Sequence, residues 1–138
     1  MSSRTIILYP ILLLASAAAL ADSLTGKDRL LCSAVEATVC TADGICESGP
    51  PWDWQIPQFL IVDLDRKELT STEASGENRA TPILSLSRED GHIVLQGVQA
   101  GRAFSMVLRE DNGHAAIAIA TDGVTISVFG ACTPVPTA

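Results

Sequence analysis

From Thr81 to Val128 apolar and polar residues alternate in short runs, and turn dipeptides separate the runs at Asp90-Gly91, Ala100-Gly101, Asn112-Gly113 and Asp122-Gly123. Alternation with a period of two, broken by such dipeptides, predicts consecutive β-hairpins. A two-residue turn also fixes which residues face each other, and opposed residues share one face of the sheet. Counting out from these turns gives one apolar row, Leu86/Leu95/Met106/Ile119/Ile126, and a second, Ile93/Leu108/Ile117/Val128. A third row places Gly97 opposite Phe104, whose ring can cover the backbone that glycine leaves bare. The other face carries Ser85, Ser87, Val94, Gln96, Ser105, Val107, Ala116, Ala118 and Ser127, and reads as the solvent side. No apolar stripe of helical period follows the N-terminal segment, so almost no helix is expected.

Upstream, Leu30 to Thr41 reads as a first strand and "PQFLIVDLD" as a second, with Leu60, Val62 and Leu64 on one side and Phe59, Ile61 and Asp63 on the other. Asp65-Arg66-Lys67 turns the chain into a short strand around Leu69, and Thr72 to Arg79 form a polar loop. The fold class expected is therefore all-β: an antiparallel up-and-down meander of about eight strands. A meander of this length closes naturally into a small barrel, which removes the two exposed edges; an open or sandwich-like meander is the alternative. Closure makes the first and last strands antiparallel neighbours. Of the three pairings open to four cysteines, it favours Cys32 with Cys132, leaving Cys40 with Cys46 to staple the loop between them. The parity of the strands raises one conflict. Cys132 shares the inward parity of Ile126 and Val128, whereas inward Leu31, Val35 and Val39 would turn Cys32 outward, so a bulge near Gly130 is expected.

The N-terminus changes the compartment. A basic start at Arg4, an apolar run interrupted by Pro10 and the ending Ala19-Leu20-Ala21 predict a secretory signal peptide over residues 1–21, cleaved after Ala21. The run is too short for a membrane span, and Cys32 lacks the small preceding residue of a lipidated cysteine, so no stable membrane anchor is expected. Residues 22–138 then form a single domain of about 117 residues, long enough to bury a core. Losing Arg4 takes the formal charge from -7 to about -8. That acidity argues against nucleic acid and anionic membranes as partners. Export to the periplasm or the exterior supplies the oxidising conditions that disulfides need.

Candidate chemistry is sparse. His92 and His114 each follow a turn glycine, and no nucleophile motif, phosphate loop or zinc spacing accompanies them. Asp63/Asp65 and Asp111/Asn112 read as turn caps. "TADGICE" lacks the alternating ligands and closing glutamate of a calcium loop. No cofactor, metal or catalytic residue is expected. Three residues are binding candidates. Glu36 faces an apolar interior if Cys32 and Cys40 do, and solvent if Leu31, Val35 and Val39 point inward. Trp52 and Trp54, in "GPPWDWQIP", would project on one side of an extended segment as a platform for a sugar, a peptide or a protein surface. Alternatively they dock on Phe59 and Ile61, or plug one mouth of the barrel.

The cluster "CSAVEATVCTADGIC", the run "IVLQGVQAGRAFSMVL" and the closing "VFGACTP" resemble a family of small, secreted, uncharacterised Gram-negative bacterial proteins. The resemblance implies export and carries no activity or functional residues with it. Periplasmic lysozyme inhibitors are also small disulfide-stapled barrels, but this chain has no tyrosine- or lysine-rich loop like theirs. The leading expectation is a non-enzymatic module that binds an envelope protein or glycan through its loops. The alternatives are a lipocalin-like carrier of a small apolar ligand, for which large inward side chains leave little room, and a periplasmic enzyme inhibitor.

Overall fold

A computed structural model describes residues 23–76 and 78–136. The expected signal peptide lies outside the described residues, which are built mainly of antiparallel strands. They are β1 (Arg29–Thr41), β2 (Cys46–Gly49), β3 (Phe59–Asp63), β4 (Glu68–Ser71), β5 (Ala80–Pro82), β6 (Ser85–Glu89), β7 (His92–Gln99), β8 (Arg102–Arg109), β9 (His114–Thr121) and β10 (Val124–Pro134). Two short 3-10 turns, Pro51–Trp54 and Glu73–Ser75, are the only helical segments among the described residues. The strands run in the order β5-β4-β3-β1-β10-β9-β8-β7-β6. Because β1 is thirteen residues long, one of its edges holds two partners: β3 pairs with Arg29 to Ser33, and β2 with Ala37 to Cys40.

The two ends of this sheet, β5 and β6, are separated in the chain only by Ile83 and Leu84. The Ile83 amide donates to the Lys67 carbonyl beside β4, and the Leu84 amide donates to the Gln96 carbonyl of β7. One short length of chain thus joins the sheet's opposite ends, and the sheet curls into a barrel-like shell. The count of eight strands is corrected to ten. The stretch expected as one strand from Thr81 to Glu89 breaks at Ile83-Leu84, where it leaves β4 and joins β7, and β2 is an added strand formed by the Cys40 to Cys46 hairpin.

Three of the four counted hairpins have the expected register: Leu86 faces Leu95, Leu95 faces Met106, Ile93 faces Leu108, Ile119 faces Ile126 and Ile117 faces Val128. Gly97 faces Phe104, and a Cβ there would lie 2.6 Å from the ring. The β8 to β9 pairing is different. Met106 faces Ile117 and Leu108 faces Ala115, two residues away from the expected register. The cause is a four-residue connection, Glu110 to Gly113, in place of a tight Asn112-Gly113 turn. Its backbone is engaged elsewhere: the Leu24 amide donates to Glu110, and the Cys132 amide to Gly113. Gly113 has a φ of 70°, and a Cβ there would lie 2.1 Å from the Cys132 carbonyl oxygen. A slip of two residues preserves the pleat, so the inward face survives the error.

Both disulfides join directly opposed residues, Cys32 with Cys132 and Cys40 with Cys46. The parity conflict is resolved by a bulge on β1 between Ala34 and Glu36, opposite Gly130 and Phe129. A Cβ on Gly130 would meet the Ser33 carbonyl oxygen at 2.2 Å, so the close approach of β10 to the bulge requires glycine. Before the bulge Leu30, Cys32 and Ala34 are buried; after it Ala37 and Val39 are. The inward direction expected for Leu31 and Val35 is therefore overturned, and Val35 is 68% exposed. The first bridge spans a sequence separation of 100 and contributes something like 2–4 kcal/mol by constraining the unfolded chain.

The interior holds two apolar clusters. The larger gathers Leu24, Leu30, Val62, Ile93, Leu95 and Leu108 with the Cys32 to Cys132 bridge. The smaller gathers Ala34, Ala37, Val39, Ile56, Ile126 and Val128, with Trp54 packed against it. Leu24 closes one end of the shell, fully buried. Arg88 fastens it there: its guanidinium donates to the Leu24 and Lys27 carbonyls at 2.9 Å, to Asp28 at 3.2 Å and to Glu110 at 2.5 Å.

Candidate functional site

Alternation along β8 puts Arg102, Phe104, Met106 and Leu108 on the inward side, with burial deepening from the first to the last. On β7 the corresponding inward residues are Gln99, Gly97, Leu95 and Ile93, and Gln99 stands directly opposite Arg102. The inward row of each strand therefore ends in a polar residue at the end of the shell away from Leu24. Ser71 on β4 and Thr81 on β5 join the same rim.

Beneath this rim a cavity of about 120 Å³ opens between the two apolar clusters. Its walls are Leu60, Leu69, Phe104, Met106, Ile119 and Val128, with Ile56 and Pro57 closing one flank. Its mouth carries Ser71, Arg79, Thr81, Gln99 and Arg102, and among the described residues no aspartate or glutamate lines it. For scale, an apolar cavity of ~150 Å³ stays dry and takes up a benzene ring.

The mouth is held by hydrogen bonds that leave the arginines differently occupied. Gln99 donates from Nε2 to the Ala80 carbonyl at 2.5 Å and accepts from the Thr81 hydroxyl, which ties β7 to β5 across the seam. The Arg79 amide donates to Ser71 Oγ at 2.8 Å, and its Nη1 donates to the Gln55 carbonyl at 3.2 Å. Gln55 has a φ of 59° and ends the Pro51–Trp54 turn, so Arg79 anchors that turn beside the mouth. Ser75 Oγ donates to the Phe59 carbonyl and accepts from its amide, fixing the neighbouring loop on β3. Arg102 has no carboxylate partner among the described residues, in contrast to Arg88 and Arg109.

The residues singled out from the sequence lie elsewhere. Trp52 and Trp54 sit in a 3-10 turn, not an extended segment, because Asp53 and Gln55 donate backwards to Pro50 and Trp52. They do not form one platform. Trp54 lies against Gly49 and packs on the smaller cluster, while Trp52 is 54% exposed. Glu36 follows the bulge residue and faces solvent, so it is no part of the interior. His92 and His114 occupy hairpin ends; His92 Nδ1 lies 2.9 Å from the Asp90 carbonyl, and the His114 amide donates to Asn112 Oδ1 at 3.0 Å. Asp63 caps its turn by accepting from the Arg66 amide at 2.9 Å. In the disulfide-closed loop, the Thr41 hydroxyl donates to Asp43, and this bond with the Ile45 amide holds that carboxyl below the ordinary aspartate range.

What the sequence reading passed over was the row one step beyond Gly97 and Phe104. Counting the same hairpin outward to its turn pairs Gln99 with Arg102 and places both on the inward side. Comparison with models of protein families, with curated proteins and with solved structures finds no match for this chain.

Proposed function

We propose that this protein is an exported, non-enzymatic binding protein that receives a small, mainly apolar ligand in the cavity of its curled sheet. The observation that carries this reading is the cavity itself: about 120 Å³ of space walled by apolar side chains, with a polar mouth at one end. Concave apolar sites with a few placed polar groups are the usual form of a small-molecule site. Among the described residues the lining holds no carboxylate, imidazole or thiol, which favours binding over acid–base or nucleophilic chemistry. Two disulfides are compatible with a protein that works in an oxidising compartment outside the cytoplasm. A loop-borne contact with an envelope protein or glycan is the second reading, kept by the exposed Trp52 ring. A Trp52→Ala protein that recovers the same partners as the native chain from an envelope extract would remove it.

Titration of the methyl-labelled, disulfide-intact protein with toluene and with 1-octanol tests the main reading. Saturable NMR shifts are expected at the methyl groups of Leu69, Met106 and Ile119, and Leu69→Trp should abolish them by filling the space. Absence of saturable shifts with both compounds would sink it.

A further inference from the structure

Resting on the cavity reading above, we propose that the ligand is an amphipath with a single carboxylate head, bound with its apolar body in the cavity and its head on the Arg102 guanidinium. Charge distribution is the first ground. The chain has 16 acidic against 9 basic residues, yet among the described residues the cavity is lined by two arginines and by no acid. A mouth of that sign on an acidic protein draws in an anion that the rest of the surface repels.

Position is the second ground. Arg102 lies on the same inward row as Phe104 and Met106, so a ligand chain following that row leads straight to its guanidinium. Its directly opposed neighbour, Gln99, is fixed by bonds to Ala80 and Thr81 and cannot turn to solvate it without giving those up. Arg88, by comparison, is held by two carboxylates and two carbonyls, and Arg79 already grips Gln55. The planar guanidinium offers paired donors whose spacing matches a carboxylate.

Size narrows the body. A cavity of about 120 Å³ accepts roughly one aromatic ring or a chain of about six to eight carbons. Octanoate and 1-octanol form a matched pair, alike in body and different in head.

Calorimetric or NMR titration of both compounds, at neutral pH and low salt, supplies the test. The native protein should bind octanoate at least about tenfold more tightly than 1-octanol, and Arg102→Met should erase that preference, the loss falling far more on octanoate than on 1-octanol. Equal affinity for the two compounds, or an equal loss of both in Arg102→Met, would overturn the carboxylate proposal and leave the cavity reading standing. Binding of neither would overturn both. Should Arg102→Met fail to fold, Arg102→Lys keeps the charge and loses the fork: a reduced preference supports the proposal, and a preference unchanged from the native protein counts against paired recognition by Arg102.

Discussion

The two ends of the curled sheet each present an arginine, and the two arginines are used in opposite ways. At the closed end, Arg88 directs its guanidinium at Leu24, Lys27, Asp28 and Glu110, and so locks an N-terminal segment over the larger apolar cluster. At the open end, Arg102 stands at the head of an apolar row with no carboxylate partner among the described residues. A residue that must hold a fold has its charge satisfied by the fold. One that meets a visitor keeps its charge in reserve, and its removal should cost the fold little.

This contrast can be broken at three places. The largest effect is expected from Leu24→Ala, since Leu24 is fully buried at the closed end. Loss of its side chain should lower the unfolding free energy by about 2–5 kcal/mol in urea denaturation. Arg88→Met removes donors from two carbonyls and two carboxylates, but the site is partly open to water, with a side-chain exposure of 30%. A loss of about 1–2 kcal/mol is expected. Arg102→Met should change stability by no more than about 0.5 kcal/mol, measured in the same way. If instead the Arg102 substitution destabilises as much as that at Arg88, the distinction between a locked and a receptive end is wrong.

Much of the wall was legible before any coordinates, and the reason is physical. Pleat and turn length together determine facing in a hairpin, so Leu95 against Met106 and Ile119 against Ile126 could be counted. The count failed at Asn112-Gly113 because the turn there answers to distant backbone at Leu24 and Cys132, which no local rule contains. The bulge was legible from the opposite side. Cys32 and Cys132 could both face inward only if one strand carried an extra residue, and the sequence located the irregularity at Gly130, directly opposite its actual place on β1.

The site was harder to read than the wall. Tryptophans draw attention as binding residues, yet Trp54 belongs to the smaller core and the pair sits in a 3-10 turn, which local backbone bonds produce and side-chain pattern does not reveal. Inward side chains were expected to fill the shell. The cavity nevertheless lies among inward side chains that include Leu60, Leu69, Phe104 and Met106. Whether space remains between two clusters depends on three-dimensional volume, and the order of residues along a strand does not state it.

The junction at Ile83 and Leu84 gives this shell a clasp. The outermost strands β5 and β6 do not pair with each other; they are kept together by the continuous length of backbone between them and by the bonds it makes to Lys67 and Gln96. A single peptide cleavage between them would unbuckle it and let its two outer strand edges swing apart. Each could then be met by the corresponding end of another molecule, so that a fold suited to a solitary life would become a link in a chain.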